Sequence, residues 1–268
     1  MTTVSDNPFF GQKPGSIHID ACSTARLKDM EQAAATVQEN LRKLASQSAT
    51  VITEILKGQG DFVPWDHYPA GDVYDWDSHA QYYYHAHPAD NPAPGGPYGF
   101  WKREHGHFHT FLRAKGMPPG TLPADVPGVD TNQDSDTALC HIVAISMNED
   151  GLPFRLFTTN RWVTGEQWHD AETVIGLIDR FSLTCALPSR PVNSWITAML
   201  RLFRPQVEEL LRQRDAALAN RLSRPATVEP SAFDDRGLEI TSVMEISIED
   251  QMDMLTAELR RRRITTET

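Results

Sequence analysis

The chain has 268 residues, 40% of them hydrophobic, which is enough for one large domain or two small ones with a core that needs no disulfide staple. Its 25 basic and 36 acidic residues leave a net charge of −11. That balance argues against a partner such as duplex nucleic acid or an anionic membrane surface, which a protein grips with clustered positive charge. No apolar run approaches the ~18 residues of a membrane span. The first fifteen residues lack a basic segment followed by an apolar one, so no signal peptide is expected. Three widely spaced cysteines, Cys22, Cys140 and Cys185, fit a reduced, cytoplasmic protein.

Residues 1–23 read as an irregular lead-in. Leu27, Met30, Ala34, Val37, Leu41, Leu44, Ser48, Val51 and Ile55 then recur every three or four positions. That seam predicts one long amphipathic helix over 24–57, in a unit 24–60 closed by Gly58 and Gly60. Its apolar stripe can pack on the domain or on a second copy of the chain, which makes a homo-oligomer through this helix one expectation. From 61 to the C-terminus the pattern predicts an α+β domain forming a single compact unit with that helix. Candidate strands are Ala80–His87, Glu104–Arg113, Thr137–Met147 and Phe154–Thr159, the last two joined by a turn at Asn148–Gly151. The loops Pro88–Arg103 and Gly116–Asp136 are rich in proline and glycine and long enough to act as lids. Helices are expected over Glu166–Leu183, from Asn193 or Ser194 with a restart at Pro205, and over Glu249–Arg263. Ser223–Ala232 reads as a linker and Leu238–Ile248 as a weak added strand. The fold class is therefore α+β, an antiparallel sheet flanked by a long N-terminal helix and C-terminal helices.

Histidine is the anomaly. Eight of the ten fall between His67 and His141. In His105–Gly106–His107–Phe108–His109 the side chains alternate faces if the segment is a strand, so three imidazoles share one face. Tyr83, His85 and His87 share a face in the same way. An antiparallel hairpin across the proline loop sets His87 opposite His105 and His85 opposite His107, and a third strand folding back sets His141 opposite His109. Opposed Cβ atoms lie ~4.5–5.5 Å apart, close enough for several rings to reach one ion at ~2.0–2.1 Å. Imidazole is the commonest neutral metal ligand. The candidate metal ligands are thus His85, His87, His105, His107, His109 and His141. Glu104 falls on the opposite face of its strand unless a bulge turns it, and Asp66, Asp72, Asp75 and Asp77 stand upstream as oxygen donors or acceptors. Tyr83, on the histidine face, and Arg161, placed to clamp a carboxylate, are the candidate catalytic residues.

Four phrases carry a resemblance: Trp65–Asp66–His67–Tyr68–Pro69, Gln81-Tyr-Tyr-Tyr-His-Ala-His87, Glu104-His-Gly-His-Phe-His-Thr-Phe-Leu-Arg113 and Leu156-Phe-Thr-Thr-Asn-Arg-Trp162. The chain after residue 24 resembles an uncharacterised bacterial protein family, a domain of unknown function, and the resemblance implies no activity. Tyr84-His85-Ala86-His87 also resembles the start of the cupin metal motif, without its glycine-spaced context. His105 to Phe111 resembles the run of the histidine-triad nucleotide hydrolases and transferases, in which His107 matches the nucleophile; Gly106 and Thr110 depart from that pattern.

The expected function is a metal-dependent enzyme with a histidine-rich mononuclear site, holding iron, copper or zinc and acting on a small molecule by oxidation–reduction. The alternatives are a non-enzymatic metal or haem binder, and a metal-free nucleotide hydrolase or transferase. No nucleic-acid or membrane partner is expected.

Overall fold

Six strands form one antiparallel sheet in which every strand pairs with its neighbour in sequence: β1 (Tyr68–Tyr74), β2 (Ala80–His85), β3 (Gly106–Arg113), β4 (Leu139–Met147), β5 (Pro153–Thr159) and β6 (Ile240–Glu245). The computed structural model describes residues 17, 19–88, 91, 99–126, 138–222 and 231–266. Most of the lead-in, His18, much of both proline-rich loops, Thr137 and the linker 223–230 lie outside them. The protein is α+β, as its pattern predicts. The weak alternation after Leu238 is the edge strand β6, and β1 is an additional edge strand that the turn residues Pro69 and Gly71 hide from a periodicity reading.

The long N-terminal helix is broken in two. α1 (Thr24–Ser46) starts at Ser23, whose side chain accepts from the Arg26 amide at 3.1 Å. It stops where Ser48 takes a φ of 53°. α2 (Val51–Ile55) then begins with a reciprocal capping box between Thr50 and Thr53. The seam runs through both pieces because Thr50 restarts the helix with Val51, Ile52 and Ile55 still turned inward. Leu27, Met30, Val37 and Leu44 are buried within the chain itself, in a layer with α5 (Arg190–Leu202) and α7 (Ile248–Thr266).

Only a short helix, α4 (Ala171–Leu177), forms in the segment read as a helix over 166–183. Asp170 caps it by accepting from the Thr173 amide, and a single turn, α3 (Arg161–Thr164), precedes it. Pro205 ends one helix and begins the next, α6 (Arg204–Leu222).

The helices bury one face of the sheet. There Tyr82 donates to the Asn193 side chain of α5 at 2.7 Å, and Phe108 packs against Trp195. The other face is buried as well. A small apolar cluster of Phe100, Trp101, Ala144, Phe157 and Ile240 covers part of it, and the histidines occupy the rest. Burial on both faces explains why β2 and β3 are almost wholly inaccessible along their length.

Candidate metal centre

β2 and β3 pair so that His85 lies directly opposite His107, the register their spacing predicts. His109, two residues along β3, shares the face. One ring nitrogen from each of His85, His107 and His109 falls within 4.8 Å of the others, and all three residues are buried. The contacts are Nε2 to Nε2: 2.8 Å between His85 and His107, and 3.1 Å between His107 and His109.

His141 joins this group by a different route from the one predicted. It lies opposite Phe111, and His109 lies opposite Ala144. A bulge between these pairs inserts one extra residue in β4, held where the Thr110 hydroxyl donates to the Val143 carbonyl at 2.7 Å. Without the bulge, strand alternation would send His141 to the helix side. With it, His141 Nε2 stands 3.0 Å from His109 Nδ1, diagonally across the strands. Its backbone amide donates to the buried Glu166 carboxylate at 2.7 Å.

His105 and Glu104 exchange the places assigned to them. β3 begins only at Gly106, after a turn in which the Glu104 amide donates to the Trp101 carbonyl. Strict alternation therefore does not extend back to residue 105. The His105 ring lies on the helix side, stacked on Phe62 and bonded through Nδ1 to the Tyr84 hydroxyl at 2.8 Å. Glu104 turns inward instead and meets His107 Nδ1 with Oε1 at 2.6 Å. Its other oxygen accepts from Arg155 Nη2, also at 2.6 Å. Arg155 is fixed in turn by donating to the Ser146 hydroxyl and the Phe100 carbonyl, with its guanidinium over the Phe100 ring. Burial raises the Glu104 carboxyl and lowers the Arg155 guanidinium, while their contact opposes both shifts. Sequence reasoning missed Arg155; the signal available was a charged residue alternating with apolar ones inside a strand.

His87 lies beyond the end of β2. Its ring centroid is 5.0 Å from that of His85 and 5.3 Å from that of His107, and it packs against Trp65 and Trp101. The Glu239 carboxylate, pushed up to about 7 by burial, is 3.8 Å from its Nδ1. Tyr83 stays on the histidine face, with its ring 5.1 Å from that of His109. The His67 ring lies flat on Tyr83 at 3.6 Å, with Nδ1 on Asp72 Oδ1. Arg161 is not brought to the group: at the start of α3 it pairs with Asp234 at 2.8 Å, an ordinary structural ion pair. Asp75 is likewise committed elsewhere, accepting from backbone amides at Ser78, Thr184 and Cys185.

Burial, reinforced by neighbouring imidazoles and by Arg155, holds His85, His107 and His109 well below the ordinary imidazole value. His141 is lowered to about 3 by burial and Arg214. Neutral rings are what metal ligation requires.

The proton positions follow from the partners. His107 donates Nδ1–H to Glu104, so its Nε2 presents a lone pair. That one in-plane lone pair accepts one strong hydrogen bond, yet two Nε2 atoms converge on it. His109 can give Nδ1–H to His141, which turns the lone pair of its own Nε2 toward the group. His85 Nδ1 is buried without a partner, so no hydrogen bond fixes that ring's tautomer; with its Nε2 lone pair also turned to the group, three lone pairs would converge on a point that a cation can fill. Nitrogens bound to one ion at ~2.0–2.1 Å lie ~2.9–3.4 Å apart in octahedral or tetrahedral arrangements, close to the His85–His107 and His107–His109 contacts. Glu104 behind His107 is the carboxylate–histidine arrangement that fixes a ligand's tautomer.

No curated protein and no solved structure matches the chain. A family model does, over residues 31–246, a span that takes in every residue of the histidine group and its carboxylate and arginine supports. The chain belongs to the family described as Domain of unknown function (DUF6969).

Proposed function

We propose that the protein is a metal-dependent enzyme whose centre is a single transition-metal ion held by Nε2 of His85, His107 and His109. The observation that carries this reading is the convergence of one ring nitrogen from each of three buried imidazoles, with Nε2 contacts of 2.8 and 3.1 Å. Three protein ligands leave a coordination position for a substrate, the pattern of catalytic rather than structural sites. Imidazole donors suit iron, copper, nickel and zinc. The group contains no thiolate, and its carboxylate sits behind a ring rather than among the ligands. The surroundings, Trp101, Phe111, Phe157 and Tyr83, are aromatic. Together these favour iron or copper and oxidation–reduction of a small molecule. All three cysteines are free, in keeping with a site of action in the cytoplasm.

The test is metal analysis of protein purified without a polyhistidine tag, followed by titration of the metal-free form with Fe(II), Cu(II) and Zn(II). One equivalent of iron or copper, lost in the double variant H85A/H107A, is expected. Stoichiometric metal in that double variant would refute the site. A centre that takes zinc and rejects iron and copper would turn the reading to hydrolysis.

A further inference from the structure

A run of aromatic rings leads from the metal-ligating group to the surface, and the proposed coordination uses none of it. Trp101 stacks on His107, with centroids 5.2 Å apart and planes at 22°. His87 packs against Trp101 at 4.1 Å and against Trp65 at 4.3 Å. Trp101 is 1% exposed and Trp65 is 54% exposed. The buried end has one further property. Trp101 Nε1 is buried and has no hydrogen-bond partner.

That missing partner bears on redox chemistry. An indole that loses one electron becomes strongly acidic at its N–H, and an adjacent acceptor traps it as a neutral radical. Trp101 has no such acceptor, so a hole formed there stays mobile and passes on. At Trp65, water can take the proton. Resting on the iron or copper reading above, we propose that Trp101, His87 and Trp65 form a relay that carries single electrons between the surface at Trp65 and the buried metal centre. His87 serves as the intervening medium in contact with both indoles. The relay gives a one-electron donor or acceptor in solution a route to a centre that it cannot touch.

Peroxide probes this route. One hydrogen peroxide takes two electrons and two protons and becomes two waters. Supplied through the relay, the two electrons come from the Trp65 indole, which releases two protons as it takes the oxygen of one water. The sum is one peroxide and one indole giving one hydroxyindole and one water. The experiment loads the full, untagged chain with Fe(II), measures the metal bound, adds a small excess of hydrogen peroxide and maps oxygenated tryptophans by peptide mass spectrometry. Trp76 is the internal control, because it is 80% exposed and packs on Tyr74 away from the stack.

The relay predicts oxygenation at Trp65 several-fold above Trp76, dependent on bound metal. It predicts that W101F keeps its metal but loses most of the Trp65 product. It also predicts that W65F, a change at an exposed ring, keeps its metal but slows several-fold the peroxide-driven oxidation of added ferrocyanide, two of which supply the two electrons, while W76F does not. Should W101F fail to fold, W65F decides alone. Oxygenation that follows exposure, with Trp76 leading, overturns the relay and leaves the metal centre standing, as does a Trp65 yield unchanged in W101F or ferrocyanide oxidation unchanged in W65F. A chain that takes only copper is carried through the same peroxide test, and one that binds neither metal overturns both.

Discussion

Glu104 accepts the Nδ1 proton of His107 at 2.6 Å while its second oxygen holds Arg155, so one buried carboxylate both sets the His107 tautomer and neutralises a buried cation. These two tasks separate by mutation. In E104Q the amide oxygen can still accept from His107, but the charge that strengthens the ring as a donor to metal is gone, and Arg155 is left buried without its counter-ion. Metal affinity should fall about 10–100-fold, and stability by about 3–5 kcal/mol. Adding R155M removes the stranded cation, so E104Q/R155M should regain most of the stability and none of the affinity. Metal titration beside urea unfolding of the three proteins checks this; joint recovery of both properties would mean that Glu104 acts only through folding.

His105 and His107 are two residues apart yet face opposite sides of the sheet. H107A should abolish stoichiometric metal binding, whereas H105A should keep it. H105A should instead lose about 1–3 kcal/mol, the cost of leaving the buried Tyr84 hydroxyl without its ring partner. Metal content of the two single variants decides the matter, and loss of metal in H105A would show that this ring reaches the centre.

The strand pattern made much of this site legible. Alternation along β2 and β3 put His85, His107 and His109 on one face, and the spacing of the hairpin fixed which of them oppose. What alternation could not show is where it stops. The turn before Gly106 reverses the roles of Glu104 and His105, and the bulge in β4 brings His141 in diagonally, because a one-residue offset moves a side chain to the other face. Arg155 was hidden for another reason: its partner Glu104 is 51 residues away, and nothing local marks a long-range ion pair. At the N-terminus Leu27 to Leu44 and Val51, Ile52 and Ile55 lie on the buried side, but the single helix over 24–57 is not formed: Ser48 is exposed at the break, and the Thr50 capping box that starts the second piece leaves no mark on the periodicity.

The buried imidazoles make the metal-free protein acid-sensitive. His87 and His141 fall from 6.5 in the unfolded chain to about 3, and His85, His107 and His109 are lowered too. A depressed basic group stabilises the fold above its unfolded value and loses that contribution as pH falls toward its folded one. Two buried carboxyls act with the opposite sign: Glu166 and Glu239 rise from 4.5 to about 7, so the folded form holds protons that unfolding releases. Five imidazoles outweigh two carboxyls, most strongly at the acid end. Near pH 5 unfolding should take up about three protons, so stability should fall there by about 4 kcal/mol per pH unit on acidification, and by less toward pH 6.5. Urea midpoints of the metal-free protein across that range measure the slope; a flat profile would mean that the rings are charged in the folded state.

Two glycines offer a contrast between the centre and the scaffold. A Cβ at Gly106 would lie 2.5 Å from the His85 carbonyl oxygen and 2.7 Å from the Tyr84 ring. The backbone of β2 cannot retreat without moving His85, so G106A should cost about 1–3 kcal/mol of overpacking and weaken metal binding as well. At Gly151, in the β4–β5 turn, φ is 75° and a Cβ would lie 2.6 Å from that of Thr50. G151A should therefore lose a similar amount of stability through backbone strain and crowding. Its damage falls on the turn and on the cap of α2, away from the histidines, so its metal affinity should match that of the unmodified protein. Measured side by side, equal losses of affinity in the two variants would show that binding merely follows stability. A loss confined to G106A ties the ion to the approach of β2 and β3 at His85 and His107.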